Sequence, residues 1–364
     1  LSDAPDDVIL SHFLHAQLPD SLIADFFTFF DAVKSPIAVR SSSLLEDSHY
    51  QPFAGIYSTY MIPYLEDKYQ MLQMLACAIK GVYASVFYRD SKAYMTATRN
   101  VIDQEKMAVI LQEVVGNQYA NRYYPSMSGV ARSLNYYPLG DERAEEGIVN
   151  LALGLGKYIV DGGMTLRFSP YHPHQILQLS EMEIALRETQ TRFYALDLGN
   201  GGQNFSIDDG FNLLKLPVKE AEKDGALNYI ASTYDPYDQV IRDGLYPGGR
   251  KVITFANILK HDVYPLSRIL QLALKYGQEE MRRPVEIEFA ANLSREKDKT
   301  GSFYLLQIRP IVDAKEVLDE DLAAIPDERL LLRSDNSLGH GIMNDLFDVV
   351  YVKTDHCTAS RNPQ

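Results

Sequence analysis

The chain has 364 residues, a formal net charge of −14 and a hydrophobic content of 46%. This length exceeds what one compact core usually holds, so we expect two or more domains or lobes. The acidic balance argues against a nucleic-acid partner or an anionic membrane surface, and no apolar run approaches the length of a membrane span. Two distant cysteines, Cys77 and Cys357, form no metal cluster. With the lack of a signal segment, they favour a cytoplasmic protein.

The N-terminal third of the chain predicts helices around one short strand. Apolar residues recur there at helical spacing, and prolines and glycines mark the breaks. The predicted elements are two short helices within residues 7–33 separated by Pro19, a brief strand over residues 37–39 that ends at Arg40, an extended run over residues 57–62, and a long helix over residues 67–98 with a break near Gly81.

The middle of the chain predicts strands and helices in alternation. The region 165–250 contains no recognisable motif and is interpreted as an insertion. The predicted elements are a buried strand over residues 107–115, a hairpin within 116–141, an apolar segment over 148–160 with Gly154 and Gly156, a helix near 180–189, a loop-rich stretch over 224–249 with a turn at Gly248-Gly249, and an amphipathic helix over 266–274 that Gly277 closes.

The stretch from Val285 to Pro310 predicts two strands with alternating faces. If they pair as a hairpin, two carboxylates, an amide and a guanidinium share one side of a sheet. Such oxygens suit Mg²⁺ and the arginine suits a phosphate, although a solvated face of ordinary charge pairs is an open alternative. The predicted polar face carries Glu286, Glu288, Leu305, Gln307 and Arg309, and the opposite face carries Val285, Ile287, Phe289, Tyr304, Leu306 and Ile308.

Three separated motifs occur in an order that is typical of one family. The first comprises Ala38–Ser42, Glu46-Asp47, Phe53–Gly55 and Thr59; the second comprises Met107, Gln112, Val114-Val115, Ser128–Ala131 and Gly154–Gly156; the third comprises Glu286–Phe289 and Leu306–Pro310. Together they resemble the pyruvate/phosphoenolpyruvate-binding, ATP-grasp nucleotide domain of phosphoenolpyruvate synthases and pyruvate phosphate dikinases. The resemblance spans residues 35 to 312.

The resemblance implies an α+β, ATP-grasp-like fold in which two lobes with mixed or antiparallel sheets enclose a nucleotide cleft. Residues 1–106 would form an N-terminally truncated first lobe, residues 107–314 a second lobe with the insertion, and residues 315–364 a linker to a following region. The implied ligands are ATP and Mg²⁺. The implied partner is a phosphoacceptor histidine on another domain of a longer protein, with pyruvate or phosphoenolpyruvate involved indirectly.

The resemblance also assigns roles to individual residues. A phosphoryl-transfer site positions groups and neutralises charge, so it needs cations, backbone donors and a metal platform. The implied roles are phosphate clamp and catalytic residue for Arg40 and Arg309, phosphate loop for Gly55, adenine-binding hinge for Gln112, Glu113 and Val114, metal ligands for Glu288 and Gln307, and further nucleotide contacts for Thr59 and Glu286.

Each of these residues also has an alternative interpretation in which its role is purely structural. Arg40 is also suited to a network with Glu46 or Asp47, Gly55 to an ordinary turn, and Gln112 and Val114 to strand core. Gly154 and Gly156 are more typical of a tight turn than of a phosphate loop.

Several departures from the family pattern favour alternatives. The family carries a phosphate-binding lysine after a glycine pair near its N-terminus, and no such pair precedes Ala38 here. Arg89 lies one position away from the family's arginine after the long helix, and Ser58 replaces an acidic residue. This chain has Arg132-Ser133-Leu134 where the family carries an aromatic residue, a threonine and an arginine. His356 follows a phosphohistidine-like Thr354-Asp355, but its surroundings favour a surface or linker histidine, and His172 and His174 lack partner ligands. The alternative functions are a nucleotide-sensing or regulatory module without catalysis and, less favoured, a carboxylate-activating ligase.

Overall fold

The computed structural model describes residues 4–43, 57–97, 105–199, 205–294, 301–311 and 326–331. The chain divides into two compact units, Leu1–Val312 and Asp313–Gln364. Within the second unit the described part holds the short 3₁₀ helix Asp327–Arg329. The acidic stretch 315–328, for which the sequence predicts a linker helix, falls mostly outside the described residues.

The first unit contains these helices and strands. The helices are α1 (Asp6–His15), α2 (Asp20–Ala32), α3 (Lys68–Ser85), α4 (Arg89–Ala97), α5 (Lys157–Val160), α6 (Met182–Arg187), α7 (Val218–Lys223), α8 (Ala256–Leu259) and α9 (Leu266–Met281). The strands are β1 (Ile37–Ser43), β2 (Tyr60–Ile62), β3 (Met107–Glu113), β4 (Asn117–Tyr119), β5 (Arg122–Tyr124), β6 (Met127–Arg132), β7 (Ile148–Ala152), β8 (Leu166–Phe168), β9 (Arg192–Asp197), β10 (Leu213–Pro217), β11 (Ala231–Asp235), β12 (Val240–Asp243), β13 (Arg250–Ile253), β14 (Val285–Leu293) and β15 (Gly301–Pro310).

Strands β2, β1 and β3 form an antiparallel sheet in that order, called here the N-terminal sheet. Its inner face packs on α2 and α3 through buried side chains that include Val39, Tyr60 and Leu75. Strand β1 pairs with β3 along its whole length, and Arg40 lies opposite Ile110. The prediction that the strand ends at Arg40 is therefore wrong, because the serines after it continue the ladder.

The predicted break of the long helix is also misplaced. Helix α3 continues through Gly81 and ends at Ser85, and α4 begins at Arg89. A Cβ atom on Gly81 would lie 2.7 Å from Tyr60 Cε2 and 2.8 Å from Phe205 Cζ. This glycine therefore serves the close approach of two aromatic rings to an uninterrupted helix rather than a break.

Helices α3 and α4 also correct the expectation about membrane spans. By length and composition, the stretch Lys68–Thr96 is long and apolar enough to cross a membrane. Of its most apolar 18-residue segment, 56% is buried inside the protein. This is weak evidence for a span, because the buried core helix of a soluble protein meets the same criterion.

Strands β15, β14, β6, β7 and β8 form a five-stranded antiparallel sheet in that order, called here the C-terminal sheet. One face is apolar and packs on α9 through Leu266, Leu270 and Leu274. Gly277 lies inside α9, where a Cβ atom would come within 2.7 Å of Ile308 Cδ1. The prediction that this glycine closes the helix is wrong, since the helix ends at Met281 and is followed by Arg282 in a left-handed conformation with φ of 53°.

The predicted hairpin of β14 and β15 is confirmed, with one correction of its faces. Glu288 pairs with Gln307, but Phe289 pairs with Leu305, so Leu306 has no partner in the ladder and forms a bulge. Beyond the bulge the alternation of β15 is shifted by one residue. Phe303 therefore packs in the core, with its ring centroid 5.3 Å from that of Phe289, while Tyr304 is 42% exposed.

The region 165–250 contributes to two further antiparallel sheets, β10-β9-β5-β4 and β12-β11-β13. The predicted hairpin within 116–141 is confirmed as β4 and β5, and the helix near 180–189 as α6. The stretch 224–249 is loop-rich, as predicted, and it also holds the two short strands β11 and β12. Both Gly248 and Gly249 have positive φ, as the predicted turn requires. The α+β class is confirmed, whereas the ATP-grasp topology and the lobe boundaries stay predictions.

Residues 205–212, called here the strap, lie against β2. The rings of Phe205 and Phe211 pack on Tyr60, with centroids 4.8 and 6.2 Å away. The backbone N–H of Thr59 donates to Asp209 Oδ2 at 3.1 Å. The strap thus attaches the region after β9 to the N-terminal sheet through aromatic packing and a charged acceptor.

Candidate functional site

The polar face of the C-terminal sheet carries two rows of side chains. Directly paired residues of antiparallel strands project to the same face. Glu286 pairs with Arg132 on β6 and with Arg309 on β15, and Glu288 pairs with Gln307. The rows are about 7 Å apart, because each strand advances about 3.4 Å per residue and same-face residues are two apart.

Arg40 joins the N-terminal sheet to this polar face. One guanidinium nitrogen, Nη2, donates to Gln307 Oε1 at 2.5 Å and lies 3.4 Å from Glu288 Oε2. The other nitrogen, Nη1, donates to Gln112 Oε1 at 3.2 Å. Gln112 Nε2 in turn donates to the carbonyl oxygen of the bulge residue, Leu306, at 3.0 Å. Four of the residues that the sequence singled out therefore meet at one point between the two sheets.

Glu286 lies between two guanidinium groups. Arg132 Nε donates to its Oε2 at 2.6 Å, and Arg309 Nε donates to its Oε1 at 2.9 Å. The Glu286 side chain is only 8% exposed. Burial alone would raise the pKa of this carboxyl group, but Arg309 and Arg132 outweigh the burial and hold that pKa below its usual value. Glu286 is therefore ionised at neutral pH and fully engaged by the two arginines.

The oxygen atoms of Glu288 and Gln307 fit a hard divalent cation. Both contact the same nitrogen of Arg40, so the two oxygens converge on one positively charged group. Mg²⁺ is commonly held by one or two protein oxygens, with phosphate oxygens and water completing its octahedron. Within the described residues no group of three or more His, Cys, Asp and Glu side chains could hold a metal ion. The pair fits a cation that is shared with a phosphate rather than a metal cage built by the protein alone.

The predicted hinge and loop residues have internal partners for some of their backbone donors. The N–H of Val114 donates to the carbonyl of Pro36 at 2.9 Å, and the Val114 side chain is buried. The N–H of Thr59 is engaged by Asp209 of the strap. Glu113 is exposed at the end of β3. The nucleotide contacts of these residues stay predictions.

Several predicted residues lie outside the described part of the chain. They are Gly55 with its phosphate-loop role, Glu46 and Asp47 as structural partners of Arg40, and His356.

The reasoning from sequence left Arg132 without a role, and the structure brings it into the site. Arg132 is the last residue of β6 and pairs with Glu286. A signal was available in the alternation of Ser128, Val130 and Arg132, which puts the arginine on one face of its strand. The pairing of β6 with β14, which turns this face toward Glu286, is a long-range contact that the alternation does not reveal.

Comparison with known proteins gives the site its context. The model of a family described as "Pyruvate phosphate dikinase, AMP/ATP-binding domain" matches residues 4–329, well over half of the chain. The chain belongs to this family. Membership supports the resemblance of the three motifs and gives the domain a family-level role in ATP binding for phosphotransfer.

Two curated relatives of this ATP-binding domain carry names that agree with that role. The "Phosphoenolpyruvate synthase" of Aeropyrum pernix is 26% identical over 341 residues, which cover 90% of this chain and 36% of that protein. The "Uncharacterized phosphotransferase YvkC" of Bacillus subtilis is 29% identical over 157 residues, which cover 43% of this chain and 17% of that protein. The chain thus matches about a third or less of the length of each relative.

Proposed function

We propose that this domain binds Mg·ATP between its N-terminal and C-terminal sheets and passes a phosphoryl group to a histidine on another domain of a phosphoenolpyruvate synthase-like protein. The observation that carries the proposal is the meeting of Arg40 with Glu288 and Gln307, which brings a phosphate-binding cation and two metal-type oxygens together across the cleft. Pyruvate and phosphoenolpyruvate would take part elsewhere in the full-length protein.

The residues of the proposed cleft would have separate roles in phosphotransfer. Glu288 and Gln307 would hold Mg²⁺, and the bound ion would neutralise charge on the phosphate oxygens. Arg40 and Arg309 would bind the phosphates directly, since guanidinium groups match phosphate oxygens in pairs. Arg40 is only 21% exposed and Arg309 24%, so both work in a partly desolvated setting where charge interactions are stronger than in open water.

Calorimetric titration of ATP into the 364-residue chain, with Mg²⁺ or with a chelator, tests the binding step. We expect binding that strengthens with Mg²⁺, and we expect Glu288→Ala to remove most of this dependence. Glu280→Ala, at an exposed position of α9, is the matched control and should behave as the unsubstituted chain. Absence of ATP binding, or an unchanged Mg²⁺ dependence in Glu288→Ala, would contradict the proposal.

A second experiment tests the acceptor on the full-length protein. ATP labelled at the β- or the γ-phosphate should transfer label to the protein in an acid-labile, base-stable form, as expected of phosphohistidine. Arg309→Ala should suppress this transfer. Tight ATP binding without any labelled protein would instead indicate a nucleotide-sensing module.

A further inference from the structure

The second cation on Glu286 is unexplained by the residues assigned so far. Arg309 by itself balances the single negative charge of this carboxylate. Arg132 adds a second guanidinium on the opposite oxygen, which leaves the three side chains with a net charge of +1. In a chain with a formal charge of −14, two arginines on one carboxylate of the polar face form a group that suits an anionic ligand.

The geometry also assigns Glu286 a role different from metal binding. Each of its two oxygens accepts from a different arginine, and its side chain is almost fully buried. A buried, ionised carboxylate that accepts from both arginines holds their guanidinium groups next to each other. The Arg132–Glu286–Arg309 row lies about 7 Å along the strands from the Glu288–Gln307 row, which is one same-face step of a strand. The paired arginines therefore lie directly beside the oxygens that suit a phosphate-bound cation.

Arg132 is the most accessible of the three arginines that contact Glu286 and Glu288. Its side chain is 45% exposed, compared with 24% for Arg309 and 21% for Arg40. Arg132 Nε faces Glu286, and its exposed fraction leaves room for a second partner. An arginine that is anchored on one side and open on the other loses less side-chain entropy when a phosphate binds it.

We propose that Arg132 is a further phosphate-binding residue of this site, which together with Arg309 grips the end of the polyphosphate chain of the nucleotide while Glu286 acts as their positioning residue. This inference rests on the proposed function, because it takes ATP as the ligand of the cleft.

The test compares ATP with AMP, which lacks the end of the polyphosphate, on the 364-residue chain. The variant Arg132→Ala loses one charge-assisted contact with the phosphates. We expect its affinity for ATP to fall about tenfold to a hundredfold and its affinity for AMP to stay within about twofold of the unsubstituted chain. Arg132→Lys keeps the charge but lacks the paired N–H donors of a guanidinium, so its ATP affinity should lie between those of the unsubstituted chain and Arg132→Ala. Arg187→Ala, at an arginine that is 71% exposed and remote in the described contacts, is the control.

The positioning role of Glu286 has its own readout. Glu286→Gln should weaken ATP binding more than AMP binding, and Glu286→Asp should restore part of the loss, since it returns a charged acceptor for both arginines. A purely structural role would lower the affinity for both nucleotides together.

The outcomes separate the two proposals. If the unsubstituted chain binds no ATP, the proposed function fails. If it binds ATP and Arg132→Ala binds ATP equally well, only the role of Arg132 fails. An equal loss of ATP and AMP affinity, accompanied by a lower midpoint of urea unfolding, would assign Arg132 to the stability of the sheet and overturn the inference.

Discussion

The replacement Glu286→Gln tests whether the buried carboxylate is held by its two arginines. The change keeps the shape of the side chain and removes its charge, so two guanidinium groups lose their common counter-ion. Breaking a buried pair by removing one partner costs about 3–5 kcal/mol. Arg132 is 45% exposed and screened by solvent, so its share is small. We therefore expect a loss of about 3 kcal/mol in the free energy of unfolding, most of it through Arg309.

Urea unfolding at a series of pH values is the assay. The pKa of Glu286 is lowered in the folded protein, so its stabilising contribution is complete above the ordinary pKa of 4.5 and is lost as the pH falls through the folded pKa. The difference between the parent chain and Glu286→Gln should thus be constant from pH 7 to pH 5 and shrink below. Glu280→Gln, on the exposed side of α9, should show little difference at any pH. A difference below about 1 kcal/mol at pH 7, or one that does not shrink in acid, would refute the reasoning.

Three further substitutions test the packing and the contacts between the sheets, each by urea unfolding. Gly81→Ala should destabilise the protein by about 1–3 kcal/mol although alanine favours helices, because the new methyl group meets two aromatic rings; a gain would contradict this packing. Asp209→Asn should lower the free energy of unfolding by about 1 kcal/mol, because it removes a carboxylate that pairs with Lys157. Burial lowers the pKa of Lys157, but the charges of Asp209 and Asp161 outweigh the burial and hold that pKa above its usual value. The pKa of Lys157 should fall in that variant. Gln112→Leu should cost about 1–3 kcal/mol through two lost hydrogen bonds, and no loss would show that they are dispensable.

The hairpin and its polar face could be predicted from the sequence because they depend on local alternation. Glu286, Glu288, Gln307 and Arg309 lie two residues apart within their strands, and this spacing alone puts them on one side of a pleated pair. The meeting of Arg40 with Glu288 is different in kind. It joins residues 248 positions apart, and only the resemblance to a family, not the pattern, indicated it.

The errors have a common physical origin in tertiary contacts. Gly81 and Gly277 looked like helix breakers because glycine is a poor helix former, but neighbouring rings and branched side chains need the space that a Cβ atom would fill. The bulge at Leu306 shifted the faces of β15, since alternation assumes an uninterrupted ladder. Asp209 of the strap was missed because its partners, Thr59 and Lys157, lie far from it in sequence.

The bulge also determines how the two sheets are joined. Because Leu306 has no ladder partner, its carbonyl serves as the acceptor for Gln112 of the other sheet, and Gln112 is itself bonded to Arg40. The contacts of Arg40 and Gln112 across the cleft are therefore links of one network, and breaking one weakens the alignment of the others. We expect the two sheets to separate cooperatively, in a single step. A double-mutant cycle between Arg40 and Gln112 measures this coupling as the non-additive part of their effects on unfolding.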